Sequence, residues 1–241
     1  MKNMWLLCIR ELQSLVRSPI GWIVAAAMLL IDGIWFQAMA IGSGARLSAD
    51  VLREFFNGAS GTTMIAAVIL SIRLIAMERE KGTFVLLNTA PVHDGEIVFG
   101  KFLALLLFLS VVTLASVYMP ALIFVNGRVS VGHIVVGYLG ILLLAAAAAA
   151  IGTFTSSLTR SQVVAAISGG AIIATLLLLW TLAKVTEPPV NAFLSGLALH
   201  NARQMPFMTG VLRLENVVYY IAVTFFFLLA ATKTLEARRW R

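Results

Sequence analysis

Glu78-Arg79-Glu80-Lys81-Gly82-Thr83 is a dense cluster of charged residues between two long apolar stretches of this 241-residue chain. One apolar run ends directly before the cluster, and another follows from about residue 99. Side chains charged at this density cannot lie in hydrocarbon, so the cluster predicts a short loop at one face of a membrane.

The composition indicates a membrane protein. Hydrophobic residues make up 60% of the chain, charged residues only 12%, and the mean hydropathy is +0.95. Soluble domains are about half apolar and about a quarter charged, so a soluble fold could not hide this much apolar surface. The single cysteine, Cys8, excludes an intramolecular disulfide. The net charge of +7 is interpreted as a signal of membrane orientation, and no nucleic-acid partner is expected.

The hydropathy pattern predicts an all-α membrane protein whose 241 residues form one transmembrane domain. Before the first span, apolar residues recur at helical spacing among charged ones in residues 1–18, which predicts a helix lying in the membrane interface. Six transmembrane helices are expected, at about residues 20–42, 59–77, 99–125, 131–157, 163–185 and 215–233.

The segment 186–214, before the last span, combines Pro188-Pro189 with several apolar clusters. It is too apolar for a solvated loop and too broken for a span, so we expect short re-entrant helices there. An interfacial loop is the alternative.

The Lys and Arg residues predict the orientation of the chain. With the N-terminus inside, twelve of them face the cytoplasm and six face outward. This asymmetry, together with the even number of spans, favours cytoplasmic positions for both termini.

Few residues suggest enzyme chemistry. The three histidines, His93, His133 and His200, show no ligand spacing, so neither a metal site nor a catalytic site is expected. Residues 95–101 match the first seven positions of a phosphate-binding loop, but Phe102 stands where Ser or Thr must bind magnesium. We therefore expect no ATP site and no bound cofactor in this chain.

Asp32 is predicted near the middle of the first span, where an ionisable side chain is costly and suggests a function. A functional site is one interpretation. The other is a hydrogen bond that holds two helices together. Arg73 is a possible partner, although it should lie nearer the cytoplasm and extend to the inner headgroups.

Three parts of the chain resemble a known family. Arg10-Glu11-Leu12 with Arg17-Ser18-Pro19 resembles the N-terminal signature of ABC-transporter permeases of the type-2 exporter class. The run from Glu78 to Thr83, followed by Leu87, Pro91-Val92, Ile97 and Gly100-Lys101, resembles the family's loop between the second and third spans. The C-terminal region, from Gly210 to Trp240, is similar to the gliding-motility-associated branch.

The resemblance implies a transport subunit in the bacterial inner membrane that has no catalytic site of its own. Its expected partners are a separate ABC ATP-binding subunit, a second permease subunit in a homo- or heterodimer, membrane lipid, and, as a further candidate, a periplasmic or accessory subunit. The functional interpretation of Asp32 would then be a place in the translocation path or the dimer interface. Residues 78–92 would form the coupling helix, with Glu78, Arg79, Glu80, Lys81, Gly82 and Thr83 at the ATPase contact and Gly82 ending the cytoplasmic extension of the second span. A lipidic, peptidic or envelope substrate is expected.

Two alternatives are left open. One is a haem-exporter-type permease of cytochrome maturation, which has a similar span count and size, and the other is a membrane adaptor that recruits an ATPase without transport. Substrate-stimulated ATP hydrolysis separates transport from signalling.

Overall fold

The computed structural model describes residues 2–40, 47–83, 92–127 and 129–239. In these ranges the regular secondary structure is entirely helical. In chain order the helices are α1 (Lys2–Arg17), α2 (Pro19–Ala40), α3 (Ser48–Ile72), α4 (Ala76–Glu80), α5 (Asp94–Ala115), α6 (Tyr118–Asn126), α7 (Val131–Leu158), α8 (Gln162–Ala183), α9 (Val190–Leu197), α10 (Asn201–Met208) and α11 (Leu214–Arg239).

Six helical segments of the described chain are long and apolar enough to cross a membrane. This confirms the predicted all-α, six-span architecture. Their bounds are Pro19–Met39, Ser48–Glu80, Asp94–Val125, Val131–Leu158, Gln162–Ala183 and Leu214–Ala237.

The second span begins earlier than the sequence predicts. Its helix α3 starts at Ser48, whereas the hydropathy pattern placed the start at residue 59. Arg53 and Glu54 lower the local hydropathy, but Leu52, Phe55 and Phe56 in the same turns are fully buried. The extra turns are therefore stabilised by packing against the protein rather than by lipid. The prediction failed because hydropathy measures only the preference for hydrocarbon.

Helix α7 lies at the centre of the bundle and packs against α3, α5, α8 and α11. Its run from Ala147 to Ala150 is completely buried, and a Cβ on Gly152 would overlap the hydroxyl of Ser71. Small side chains thus let α3 and α7 approach closely, which is how helices associate in lipid. Gly169 of α8 is also buried, whereas Gly170 faces open space.

Helix α1 occupies the region predicted for the N-terminal helix. One face packs on α5 and buries Cys8 and Leu15. Another face leaves Trp5, Leu6 and Ile9 exposed. A helix with an exposed apolar face, next to the first span, suits the membrane interface. That membrane depth stays a prediction.

The segment 186–214 contains the two short helices α9 and α10. Helix α9 packs on α8, while α10 packs on α7 and also contacts α3. Leu199, between them, donates its backbone N–H to the carbonyl of Leu176 in α8. The segment is therefore folded against the bundle, and whether it re-enters the membrane stays a prediction.

Candidate coupling site

A buried lysine ties three helices together at the loop predicted to bind a partner. Lys101 of α5 is fully buried, and its Nζ lies 3.0 Å from Oε2 of Glu11 in α1 and 2.9 Å from Oε1 of Glu78 in α4. Lysine is almost never fully buried unless its charge is paired. The ammonium therefore links α1, the third span and α4.

Close packing of α1 on α5 makes this ion pair possible. A Cβ on Gly100 would lie 2.9 Å from the carbonyl oxygen of Met4, so only glycine lets the two backbones approach this closely. Arg10 adds a weaker contact, since its Nη2 lies 3.4 Å from Oε1 of Glu78 while 55% of its side chain is exposed. An exposed ion pair contributes little free energy. Lys101 is thus the main electrostatic link.

A second attachment holds the break between α3 and α4. The backbone N–H groups of Ile75 and Ala76 donate to Oγ of Ser156 in α7, at 3.1 and 2.8 Å. The same hydroxyl donates to the carbonyl of Ile72 at 2.6 Å. A break in a helix leaves backbone groups without their usual partners, and burying them unpaired is costly. Ser156 stabilises the break by satisfying three of them.

A third attachment involves the charged residues of α4 itself. Arg79 donates through Nη1 to the carbonyl of Ser157 at 2.6 Å, and Gln162 of α8 donates through Nε2 to Oε2 of Glu80 at 2.8 Å. Helix α4 is therefore bonded to α1, α5, α7 and α8. Four elements of the bundle therefore contact α4 directly and fix its position.

The tip beyond α4 faces outward. Glu80, Lys81, Gly82 and Thr83 are exposed. Gly82 has a φ of +73° and lies where the helical extension ends, which is the break expected for this glycine. A left-handed backbone favours glycine because a Cβ would meet the following carbonyl oxygen. The rest of the predicted coupling helix, residues 84–91, lies outside the described residues.

The structure divides the predicted coupling residues into two groups. Glu78 and Arg79 point into the protein and make the bonds described above, whereas the residues from Glu80 to Thr83 are exposed. Lys101 and Ser156 belong to the site but were not predicted. The only signal for Lys101 was a lysine near the start of an apolar run, and Ser156 gave none.

Asp32 is separate from this cluster. It is only 3% exposed and accepts a hydrogen bond from Oγ1 of Thr62 in α3, at 2.6 Å. Thr62 lies ten residues before the end of α3, which is about 15 Å of helix at 1.5 Å per residue. Arg73, which the sequence offers as a partner for Asp32, donates instead to the sulfur of Met77 at 3.4 Å.

A polar cluster at the other end of the bundle was also not predicted. His200, just before α10, lies 2.7 Å through Nε2 from Oγ of Ser60, and His133 lies 2.7 Å through Nε2 from the carbonyl oxygen of Met208. The two histidines thus hold both ends of α10, one to α3 and the other to α7. Burial lowers the pKa of His200 below its ordinary value.

The sequence profile of the ABC-2 family transporter proteins matches residues 5–232. The match extends over nearly the whole chain, from within α1 to within the sixth span. The chain belongs to the ABC-2 transporter family. The comparison with curated proteins finds no match.

Family and fold together define the class of this ABC-2 protein. It is a multi-pass membrane protein and a transmembrane permease subunit of the ABC transporter class, not itself a catalytic subunit. Within the described residues, no three His, Cys, Asp or Glu side chains form a group that could hold a metal ion.

Proposed function

We propose that this permease couples ATP hydrolysis in a separate ATP-binding subunit to the export or extraction of a lipidic, peptidic or envelope substrate. The observation that carries the proposal is the attachment of α4. Its base is bonded to α1, α5 and α7, and Glu80 accepts a hydrogen bond from Gln162 of α8, while the residues from Glu80 to Thr83 are exposed. A segment built in this way is suited to pass on a displacement from a partner subunit.

The buried and the exposed attachments of α4 differ in stiffness, and this suggests which helices would follow a displacement of the tip. The Lys101 ion pair and the Ser156 bonds are buried, so they resist bending more than exposed contacts do. A push on residues 80–83 would therefore move the end of α3 together with α1, α5 and α7. These helices would then tilt as a unit, which is a rigid-body way of reshaping a cavity between subunits.

The exposed tip also fits a role in partner choice. Glu80 and Lys81 present opposite charges next to each other. Complementary charges across an interface set register and partner choice more than raw affinity. Glu78 and Arg79 would act differently, by holding the tip in place.

We place the chain in a bacterial inner membrane with both termini in the cytoplasm. The twelve-to-six asymmetry of Lys and Arg residues supports this orientation. It would put α4 and the C-terminal residues on the ATPase side, and the segment 186–214 on the outer side. Within the family, the C-terminal resemblance supports the gliding-motility-associated branch.

A second permease subunit would complete the transporter. Helix α8 is the least buried span, and its exposed face includes Ile167, Gly170, Ala171, Ala174 and Leu178. Small residues on a membrane helix allow a second helix to approach closely. We infer that this face contacts a second permease subunit, in a homo- or heterodimer.

For Asp32 we favour the role of a link between α2 and α3. Its burial and its short hydrogen bond to Thr62 support this role over one in the translocation path or the dimer interface.

Exchanging the charges of the exposed tip tests the coupling proposal. The double variant Glu80→Lys/Lys81→Glu keeps the net charge and leaves the Lys101 ion pair intact. It also removes the acceptor of the Gln162 side chain, so Gln162→Ala, which should retain the ATPase, is the control for that loss. The double variant should insert normally but lose its ATPase on co-purification at matched membrane expression. The isolated wild-type chain should show no ATP hydrolysis.

Arg53→Glu/Glu54→Arg is the matched control, because it exchanges an adjacent charge pair at the opposite end of α3. This variant should retain the ATPase. Retention by the tip variant with loss by the control would reverse the proposed topology and remove the coupling role of α4.

A further inference from the structure

We propose that the cleft between α1 and α4 binds the phosphate group of an anionic phospholipid from the inner leaflet. The cleft has a volume of about 360 Å³, and its lining includes Arg10 and Ser14 of α1, Arg73 from the turn after α3, and Thr83. A volume in this range suits a small-molecule site. The cleft shares Thr83 with the exposed tip, but its charged residues are separate from Glu80 and Lys81, the tip residues proposed to contact the ATPase.

The charge balance around the cleft favours an anion. Two carboxylates, Glu11 and Glu78, also belong to its lining, and both lie within 3.0 Å of the buried ammonium of Lys101. Three cations, Arg10, Arg73 and Lys101, thus stand against two carboxylates. Lys101 lies behind the lining, and the five groups together carry a formal charge of +1.

Arg73 is the cation whose pairing is least complete. Its guanidinium donates to the thioether sulfur of Met77 at 3.4 Å, and thioether sulfur is only a weak acceptor. In the described parts of the chain, no carboxylate oxygen lies within 4.0 Å of the guanidinium nitrogens of Arg73. Guanidinium groups match phosphate oxygens with two parallel hydrogen bonds. Arg73 therefore offers the geometry that a phosphate needs.

The surroundings indicate a lipid rather than a soluble anion. Arg73 lies in the turn between α3 and α4, and α1 exposes Trp5, Leu6 and Ile9 beside the first span. An apolar helix face of this kind lies at the depth of the lipid headgroups. Basic clefts between helices on the cytoplasmic side are suited to anionic headgroups. A bound lipid would fill the space between α1 and the base of α4.

Native mass spectrometry of the full chain in a neutral detergent, titrated with phosphatidylglycerol, tests the proposal. We expect one phosphatidylglycerol to bind more tightly than the rest, and Arg73→Gln to weaken that first step by roughly tenfold to a hundredfold, the range for a charge-assisted hydrogen bond. Arg73→Lys, which keeps the charge, should recover part of the affinity. The measurement requires no ATPase, so its outcome is independent of the coupling proposal.

Arg160→Gln is the matched control. It removes the same charge from an exposed position in the loop between α7 and α8, on the same side of the membrane. It should leave the first binding step unchanged. Equal weakening by Arg73→Gln and Arg160→Gln would reveal diffuse surface attraction and overturn the site.

Two further titrations distinguish the source of the phosphate. Phosphatidylcholine, whose phosphate is balanced by its own cation, should bind more weakly than phosphatidylglycerol. Inorganic phosphate should not displace phosphatidylglycerol at equal concentration. Displacement by inorganic phosphate would assign the cleft to a free anion and overturn the lipid proposal.

Discussion

Lys101 and Glu78 form a buried ion pair with 2.9 Å between Nζ and Oε1, and Oε2 of Glu11 in α1 lies 3.0 Å from the same Nζ. The pair joins the third span to the base of the proposed coupling segment. It therefore stabilises the fold and, in the proposed function, would pass a displacement of α4 to the third span. Removing one member of a buried pair leaves an unpaired charge, which is far more costly than removing the whole group.

We expect Lys101→Met to destabilise the protein by about 3–5 kcal/mol, because two carboxylates would lose their common cation. The shift in apparent melting temperature, followed by size-exclusion chromatography after heating in detergent, measures this. The triple variant Glu11→Gln/Lys101→Met/Glu78→Gln should recover part of the loss.

Lys233→Met is the control for Lys101→Met. Lys233 also pairs with a glutamate, at 2.7 Å from Glu236, but its side chain is 67% exposed. An exposed pair is worth only about 0–1 kcal/mol. Similar shifts for the two lysine variants would show that burial of Lys101 adds nothing.

Ser156→Ala should destabilise the break between α3 and α4. The variant leaves the N–H groups of Ile75 and Ala76 without their acceptor, at a cost of about 1–3 kcal/mol for buried groups. The adjacent variant Ser157→Ala removes only a bond to the carbonyl of Phe154 in the same helix, so it should have a much smaller effect. Melting temperatures that rank the two variants in the opposite order would refute the role of Ser156.

Spans with continuous apolar runs were predictable from the sequence. Residues 131–157 and 163–185 were expected, and the structure gives Val131–Leu158 and Gln162–Ala183. Hydropathy locates such helices because lipid contact selects their residues directly. The predicted start of the second span was wrong for the same reason, since the first turns of α3 are stabilised by packing that hydropathy does not measure.

The candidate site was predictable only in part. The charge run from Glu78 to Thr83 is a local signal, and the sequence located it. The partners of its base lie far away in the chain, with 90 residues between Glu11 and Lys101 and 81 between Ile75 and Ser156. Contacts of such long range depend on how the helices pack, so no local pattern reveals them.

Gly82→Val should weaken binding of the ATPase while leaving the bundle intact. With φ at +73°, a β-branched residue is strained by at least the 1–2 kcal/mol typical of a left-handed backbone, although a Cβ here meets open space. Gly82→Asn should be tolerated, because asparagine adopts this conformation more readily. Co-purification of the ATPase measures both.

Gly61→Val serves as a size control for the Gly82 variants. Gly61 also has open space around it, but it lies within α3. It should retain the ATPase. Equal binding by Gly82→Val and Gly82→Asn would mean that the left-handed turn does not shape the contact.

Asp32→Asn and Thr62→Val should be non-additive in stability if the two side chains link α2 to α3. Interhelical hydrogen bonds in membranes contribute about 0.6 kcal/mol on average, and the 2.6 Å distance favours a value above that mean. A double-mutant cycle on the melting temperature isolates this term. Substrate-stimulated ATP hydrolysis should be nearly unchanged in Asp32→Asn.

Loss of transport in Asp32→Asn with additive stability effects would instead favour the translocation path or the dimer interface. Asp32→Leu sharpens the choice. As a helix link it should lower stability and leave the turnover of the assembled protein unchanged.

His200 should make the outer end of the protein sensitive to acid. Burial lowers its pKa below the ordinary value of 6.5, so the unfolded chain takes up a proton before the folded chain does. The contribution of His200 to stability is therefore complete above pH 6.5 and is lost as the pH falls towards its folded pKa. The apparent melting temperature should decrease between pH 7.5 and 5.5, and His200→Gln, which cannot titrate, should show a smaller decrease.

His93→Gln is the control, because the side chain of His93 is 94% exposed. The melting temperature of this variant should depend on pH as that of the wild type does. Identical slopes for His200→Gln and wild type would show that the bond from His200 to Ser60 does not depend on the neutral imidazole.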